Sequence, residues 1–388
     1  MSAVFTLATA PIDHAEVAQA LRPFGESTVL PVAAYTDPEI FRWEQRHAFA
    51  GSWFCVGRDD ELMQGGVTQA GITIGDVPVL LTRTGGELRA LANTCTHRAH
   101  ELLADGGTSR AQSLVCPYHA WRFTLGGRLA TAPRMNEVPC FDPAGLGLTQ
   151  LPVRVWHGWV LVNATARAAP LSDHVGDLES RIAPYQAGEL RLGARREYVL
   201  RANWKIIAEN YHECYHCPLI HPELCVVTVP DSGDNADLPG AWCGGTMDLR
   251  GNVQTMSLDG RSLGMPITGV PPRQVGYYGL FPNLLLSLHP DYVMAHRLIP
   301  IAEDETRIEC SWLFPPVAFD LPGFDPGYAS DFWDVTNLED WPACESVQRG
   351  LVSPHYRPGP LAPGESAVHH WITMIGRLYG GIPPHVRS

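Results

Sequence analysis

Two short cysteine-histidine pairs, Cys95-Thr96-His97 and Cys116-Pro117-Tyr118-His119, lie about twenty residues apart in the first third of the chain. Each offers one sulfur and one imidazole nitrogen from a tight loop. Two such loops facing each other supply the ligand set of a Rieske 2Fe-2S cluster, in which histidine replaces cysteine on one iron and raises the reduction potential. A structural zinc site draws on the same ligand types, although zinc sites more often use Cys-x-x-Cys knuckles. A redox cofactor makes electron transfer the default function.

A second concentration of ligands runs from Asn203 to Pro222. Three histidines (His212, His216, His221) and two acids (Glu209, Glu213) fall within thirteen residues of one another. The spacing of Ile207, Tyr211 and Cys214 predicts a helix over 204–216 with an apolar face, broken by Pro218. His216 and His221 are five residues apart and on an unbroken helix would point about 140° apart. A kink or short loop after Cys217 is therefore needed to bring both onto one metal. Two histidines and one carboxylate with open positions make the facial triad of non-haem Fe(II) oxygenases. The acidic stretch 331–341, expected to open or sit on a helix, offers the carboxylate, and there Asp334, Glu339 and Asp340 compete. Two rival sites use the same histidines: a zinc knuckle of Cys214, Cys217, His221 and Cys225, and an i,i+4 pair of His212 with His216.

The elements that must position these ligands are legible nearby. Residues 76–83 and 87–92 flank Gly85-Gly86 and read as a β-hairpin leading into the first loop. Residues 120–125, Gly126-Gly127 and 128–130 read as a second hairpin leaving the other loop. Upstream, Asp37 as N-cap with Pro38 at the first helical position, followed by Ile40, Phe41 and Trp43, marks a helix. A linker is expected over 170–184.

At 388 residues the chain is too long for a lone cluster domain and suggests about two domains. Its formal charge of -13 argues against nucleic-acid binding, which needs a basic footprint, and suits a basic patch on an electron-donor protein. No segment approaches the ~18 apolar residues of a membrane span, and no basic n-region precedes an apolar stretch at the N-terminus. Cytoplasm is the expectation. Ten cysteines in a chain of this size do not suggest a disulfide framework. Apart from Cys95 and Cys116, the remaining Cys55, Cys140, Cys214, Cys217, Cys225, Cys243, Cys310 and Cys344 are expected as small buried apolar residues.

Taken with Arg98 and Ala120-Trp121, the cluster motif resembles that of the α subunits of Rieske non-haem iron ring-hydroxylating oxygenases. Asn203-Trp204-Lys205, Glu209-Asn210-Tyr211, Glu213-x-x-His216 and His221-Pro222 resemble the family's iron motif. Glu339-Asp340 and the residues 344–351 resemble the segment that supplies its carboxylate. The resemblance implies an α+β fold: an N-terminal segment (1–47) packing on the catalytic domain, an antiparallel β Rieske domain (48–167), and a catalytic domain (168–388) with a helix-covered antiparallel sheet. It implies cluster ligands Cys95, His97, Cys116 and His119, a mononuclear Fe(II) held by His216, His221 and Asp340, and a homotrimer in which one subunit's cluster serves the next subunit's iron. It also implies an NAD(P)H-dependent reductase carrying flavin and iron-sulfur, with O2 as co-substrate.

Many aromatic-ring dioxygenases have aspartate three residues before the first iron histidine, where this chain has Glu213. Glutamate there resembles the branch that oxidises choline, carnitine, glycine betaine and stachydrine. The expected function is thus hydroxylation or N-demethylation of a small quaternary ammonium compound, with Glu213 accepting hydrogen bonds from His119 of one subunit and His216 of another. Tyr277, Tyr278, Phe281, Tyr292, Trp312 and Phe314 are candidate walls of a cation-π cage, with plain core packing as the alternative. Arene hydroxylation or dihydroxylation, and an electron carrier lacking the mononuclear iron, are the competing readings.

Overall fold

Short β runs separated by glycine turns dominate the first half of the chain, and they build a unit of their own. The computed structural model describes residues 8–386. Glu44–Leu171 form one unit, and the described residues up to Trp43 join those from Ser172 onward in the other.

The first unit contains β1 (Phe54–Arg58), β2 (Gln69–Ile74), β3 (Val77–Thr84), β4 (Glu87–Ala92), β5 (Thr108–Ser109), β6 (Ser113–Val115), β7 (Arg122–Thr124), β8 (Leu129–Thr131), β9 (Gln150–Leu151), β10 (Val153–Trp156) and β11 (Trp159–Val162). They form antiparallel sheets ordered β5-β2-β3-β4-β9, β6-β7-β8 and β1-β11-β10. Both expected hairpins are present. In the first, Thr84 pairs with Glu87, so the turn is Gly85-Gly86 alone, at φ 59° and 85°. Two consecutive positive φ values match the twist of the flanking strands and favour glycine at both positions. Leu80, Leu91, Leu114, Phe123 and Leu129 form a buried core that also contains Cys95, Cys116 and Trp121.

In the second unit a seven-stranded antiparallel sheet is formed by β12 (Arg191–Leu200), β13 (Thr228–Val229), β14 (Trp242–Leu249), β15 (Gln274–Leu280), β16 (Leu284–Leu288), β17 (Val293–Ala302) and β18 (Glu305–Phe314). Its order is β12-β18-β17-β16-β15-β14-β13. Central β16 is buried at every residue, which is why it reads as an uninterrupted apolar run around Ser287. The helices that matter for the site are α1 (His14–Ala20), α2 (Pro38–Glu44), α3 (Trp204–Tyr211), α4 (Cys217–Ile220), α5 (Gly327–Leu351) and α6 (Ser366–Tyr379). At the start of α2 the Asp37 carboxylate accepts from the Glu39 N–H at 2.7 Å, the cap expected of an Asp-Pro pair. The N-terminal residues are tied to this unit: Ala10 N–H donates to Tyr379 O, Val29 N–H donates to Gly359 O, and α1 packs on α6.

Three local expectations need correction. The helix predicted over 204–216 ends at Tyr211, because Glu213 turns its carboxylate back onto the N–H groups of Tyr215 and His216 and so captures the backbone donors that a continuing helix would use. Pro218 does not break a helix but occupies the first turn of α4, where its missing N–H is harmless. The expected linker is largely helical, with Leu171–Val175 and Leu178–Ile182 burying Val175, Leu178 and Ile182.

Asn203 sets the direction of α3. Its Oδ1 caps Lys205 N–H at 3.0 Å, its Nδ2 donates to Glu303 O (2.7 Å) and Tyr35 O (3.2 Å), and its own N–H donates to Gln348 Oε1 on α5 (2.9 Å). One buried amide thereby registers the N-terminal segment, the β17–β18 turn and two helices. Below it, Trp204, Phe281 and Trp371 pack edge-to-face or tilted at 5.7–6.2 Å between ring centroids. Asn203→Ala removes the cap and the donor to the half-buried Glu303 carbonyl, while Tyr35 O keeps Gln348 Nε2, with an expected loss of roughly 2 kcal/mol. A fall in Tm of several degrees in thermal unfolding followed by circular dichroism checks this.

Candidate cluster and iron sites

The two cluster loops use one backbone design. In the first, Cys95 N–H donates to His100 O at 2.8 Å and Cys95 O accepts from Ala99 N–H at 2.9 Å. In the second, Cys116 N–H donates to Trp121 O at 2.8 Å and Cys116 O accepts from Ala120 N–H at 3.0 Å. Both alanines adopt the left-handed conformation at φ 56°. The cysteines are each 2% exposed and the Cys116 thiol lies within hydrogen-bonding reach of Cys95, whereas the histidine rings sit at the half-buried outer edge. The rings of His97 and His119 are 4.7 Å apart, and His97 stacks flat on Trp121 at 4.8 Å. The buried Nδ1 atoms of both histidines have no hydrogen-bond partner, and both thiols are free. Two sulfurs and two unsatisfied imidazole nitrogens at one spot fit a 2Fe-2S cluster with its histidine iron facing outward.

In the second unit the structure brings His216, His221 and Asp340 together. The break after Tyr211 and the bend at His221 turn both rings to one side of α5, which carries Glu339 and Asp340. The two Nε2 atoms are 3.2 Å apart, and Asp340 Oδ1 lies 2.9 Å from His221 Nε2 and 3.3 Å from His216 Nε2. Each Nδ1 faces a different carboxylate: Glu213 for His216, and Glu339 at 2.8 Å for His221. An Nδ1–H that donates to a carboxylate leaves Nε2 as a bare lone pair. Two lone pairs and a carboxylate oxygen then converge, which is repulsive without a cation. Adjacent donors about 2.1 Å from an octahedral ion stand about 3 Å apart, so the triangle fits a mononuclear metal.

Protons compete for the same spot. Burial lowers the proton affinity of the His216 ring, but Asp340 and Glu213 outweigh it and raise the pKa to about 9. A bound metal replaces that proton as the positive charge among the carboxylates. Asn210 Nδ2 steadies Asp340 Oδ1 from α3 at 3.2 Å.

The three competing carboxylates are thus separated by geometry. Asp340 faces both Nε2 atoms, Glu339 faces the far side of His221, and Asp334 is bound by Arg196 (3.0 Å) and Tyr198 OH (2.5 Å). The rival metal sites are not assembled. His212 turns away into a buried slot beside Trp371, 5.1 Å between rings, where burial lowers its pKa to about 3. Gly279 makes that slot, since a Cβ there would meet His212 Nε2 at 2.2 Å. The zinc knuckle loses two sulfurs because Cys214 and Cys217 form a disulfide, which also overturns the expectation that both are free apolar residues. Of the others, Cys55, Cys243, Cys310 and Cys344 are buried as expected, Cys225 is half-buried and Cys140 is exposed.

A cluster of packed aromatic side chains lies along the sheet and is joined to α5 where His296 Nε2 meets Asn337 Oδ1 at 3.3 Å. Tyr211 packs edge-on to Tyr277 (6.1 Å) and His296 (5.7 Å), Tyr277 packs on Trp333 (6.2 Å), and His289 joins Trp333 (5.6 Å) and stacks on Tyr292 (4.1 Å). Of the six aromatics singled out from sequence, Tyr277 and Tyr292 belong to it. Phe314 packs on its edge, against Tyr292 at 5.8 Å as well as Tyr328 and Phe324, whereas Tyr278 packs on Trp242 and Arg181, Phe281 on Trp204, and Trp312 is fully buried. Sequence reasoning missed Tyr211, His289, His296 and Trp333 as members. Trp333 had a signal, one helical turn before Asn337 and two before Asp340; an isolated histidine on a buried strand had none.

With this geometry in view, comparison with known proteins is direct. Residues 187–381 match the ring hydroxylating alpha subunit (catalytic domain) and residues 52–142 match the Rieske [2Fe-2S] domain. A glycine betaine monooxygenase oxygenase subunit from Chromohalobacter salexigens is 30% identical over 368 residues, covering 86% of this chain and 81% of the relative. A carnitine monooxygenase oxygenase subunit from Escherichia coli K12 is 36% identical over 336 residues, covering 86% of each. The crystal structure of a quaternary ammonium Rieske monooxygenase in complex with L-carnitine matches with a TM-score of 0.74 at 25% identity, covering 95% of this chain and 99% of that one. The chain belongs to the ring-hydroxylating α-subunit family of Rieske oxygenases, with a 2Fe-2S domain and a catalytic domain of the mononuclear iron type.

Metal analysis of single variants checks the assignment of donors. Native enzyme is expected to hold ~3 irons per chain. Asp340→Asn should fall to ~2 with the cluster spectrum intact, and Asp334→Asn should keep all three. Glu339→Gln should bind the mononuclear iron 10- to 100-fold more weakly, the usual cost of losing a carboxylate behind a ligating histidine, roughly. A full complement in Asp340→Asn would refute its place among the ligands.

Proposed function

We propose that this enzyme is the terminal oxygenase of a system that hydroxylates or N-demethylates a small quaternary ammonium compound of the choline, carnitine, betaine or stachydrine type. The observation that carries the reading is the three-donor triangle of His216, His221 and Asp340, with an aromatic cluster joined to its helix through His296 and Asn337, because ring faces attract a trimethylammonium group that cannot donate a hydrogen bond. The relatives named for glycine betaine and carnitine support it.

In this reading Cys95, His97, Cys116 and His119 hold the cluster, and His216, His221 and Asp340 hold Fe(II). When bound, these groups supply stored electrons and O2 activation. The chain's own residues bind, orient and insulate. Glu213 and Glu339 fix the rings of His216 and His221, and Asn210 holds Asp340. In a homotrimer, Glu213 would also accept from His119 of a neighbouring copy, coupling one subunit's cluster to the next subunit's iron. We assign 48–167 to the cluster domain, 168–388 to catalysis and 1–47 to the segment that packs on the catalytic domain. An NAD(P)H-dependent flavin and iron-sulfur reductase would be the electron donor. No described helix is long and apolar enough to cross a membrane, and we place the enzyme in the cytoplasm.

A single turnover tests the substrate class without the reductase. Chemically reduced, iron-loaded enzyme is mixed with O2 and a panel of quaternary amines and arenes, and products are read by mass spectrometry. A hydroxylated amine, or a demethylated one with formaldehyde, is expected; a diol from an arene would instead make arenes the substrate class. In the same assay Glu213→Gln, loaded with excess Fe(II) so that both metals are present, should lose turnover, whereas normal coupled activity in the loaded variant would show that Glu213 plays no part in coupling the sites.

A further inference from the structure

The Cys214–Cys217 disulfide lies inside the iron-binding segment, and nothing in the function above uses it. Its Cα atoms are 4.9 Å apart, within the ordinary range for a bridge. Cys214 directly follows Glu213, and Cys217 directly follows His216. The turn that the bridge closes is the one whose backbone N–H groups, at Tyr215 and His216, hold the Glu213 carboxylate against the His216 ring. Cys217 is 2% exposed, and its Sγ lies within 4.8 Å of a ring nitrogen of both His216 and His221. Within the turn Tyr215 is 72% exposed and Cys214 is half-buried, so the bridge meets solvent on its Cys214 side.

A bridge across so short a loop gains least from chain entropy, and this argues against a role in general stability. Its position beside the ligands argues for a role in the site. Disulfides in reducing compartments are usually transient, catalytic or redox-sensing.

We propose that Cys214 and Cys217 form a reversible redox site, whose disulfide holds the turn bearing Glu213 and His216 in its iron-retaining form and whose dithiol lets the turn relax and release iron. A peroxide drives closure: two S–H bonds break, one S–S bond forms, and the peroxide O–O bond cleaves to give two waters. A small dithiol reverses it through a mixed disulfide and leaves as its own disulfide. The inference rests on the reading of His216, His221 and Asp340 as an iron site.

The test uses holoenzyme treated with stoichiometric hydrogen peroxide or with dithiothreitol. Free thiols are blocked with light iodoacetamide, then bridged ones are reduced and labelled with the heavy reagent, and mass spectrometry of the 214–217 peptide reports the redox state. In parallel, the rate at which a chelator removes the mononuclear iron is measured, with cluster absorbance monitoring the other unit. The dithiol form is expected to lose iron about tenfold faster, the scale on which outer-shell partners act. The double variant Cys214→Ser, Cys217→Ser should lose iron at the fast rate after either treatment, and Cys225→Ser should respond like the native chain. Two cysteines that stay free under peroxide, or iron loss at one rate in both states, would overturn the proposal. A chain that labels as expected but never carries a third iron would overturn the iron-site reading and this inference with it.

Discussion

Three electron-rich atoms held about 3 Å apart in a partly buried site repel one another, and much of the catalytic unit exists to hold them there. His216 Nε2, His221 Nε2 and Asp340 Oδ1 come from two segments far apart in sequence. Each is braced from behind, by Glu213, Glu339 and Asn210, so that none can rotate away to relieve the repulsion. The bracing residues need fixed positions of their own. Asn203 registers α3 against α5, and the Trp204, Phe281 and Trp371 cluster sets the floor on which α3 rests. The sheet's long central strands then give a rigid wall for the aromatic cluster. The geometry becomes favourable when a positive charge, a proton or a metal ion, takes the centre, so the fold stores the specification for a cation in its hydrogen bonds.

The cluster unit distributes polarity in the opposite sense. Its sulfurs lie in the hydrophobic core beside Leu114 and Phe123, and its imidazoles lie at the rim. The thiolate side is thus shielded from water, and the histidine side is the edge from which an electron can leave. Apart from Asp340, which sits within α5, both units place these groups on short turns or at helix ends, where backbone direction is free to serve the ligand, and both anchor that chain at each end by strands or helices.

Much of this was legible in the residues. The four residues proposed as cluster ligands follow from type and spacing, and the glycine turns beside them from the demand for positive φ. The histidines proposed for iron were legible as a group, but the path between them was not. The helical period through Cys214 is real, yet a single side chain, Glu213, captured the backbone donors and ended the helix at Tyr211. The choice among Asp334, Glu339 and Asp340 was beyond spacing alone, because consecutive helical residues point about 100° apart and only the approach of α5 decides which faces the rings. The aromatic cluster was half-seen, since aromatic residues on alternating strands say which face they occupy but not which neighbours meet across the sheet. The disulfide was missed because local pairing depends on the turn, and the turn depended on Glu213.

The twin cluster loops carry one more implication. In the first, the backbone of His97 and Arg98 favours the thiolate of Cys95 against the opposing effect of burial, and the loop that aims it is closed by main-chain bonds alone, through an alanine in a left-handed conformation. The side chains at these positions, apart from the ligands, take no part in that closure. Hydrogen bonds to the sulfurs tune a cluster's potential, so here the tuning is written in the course of the peptide rather than in replaceable functional groups. The loop surface can therefore diverge to suit different redox partners while the voltage of the cluster stays where the backbone set it.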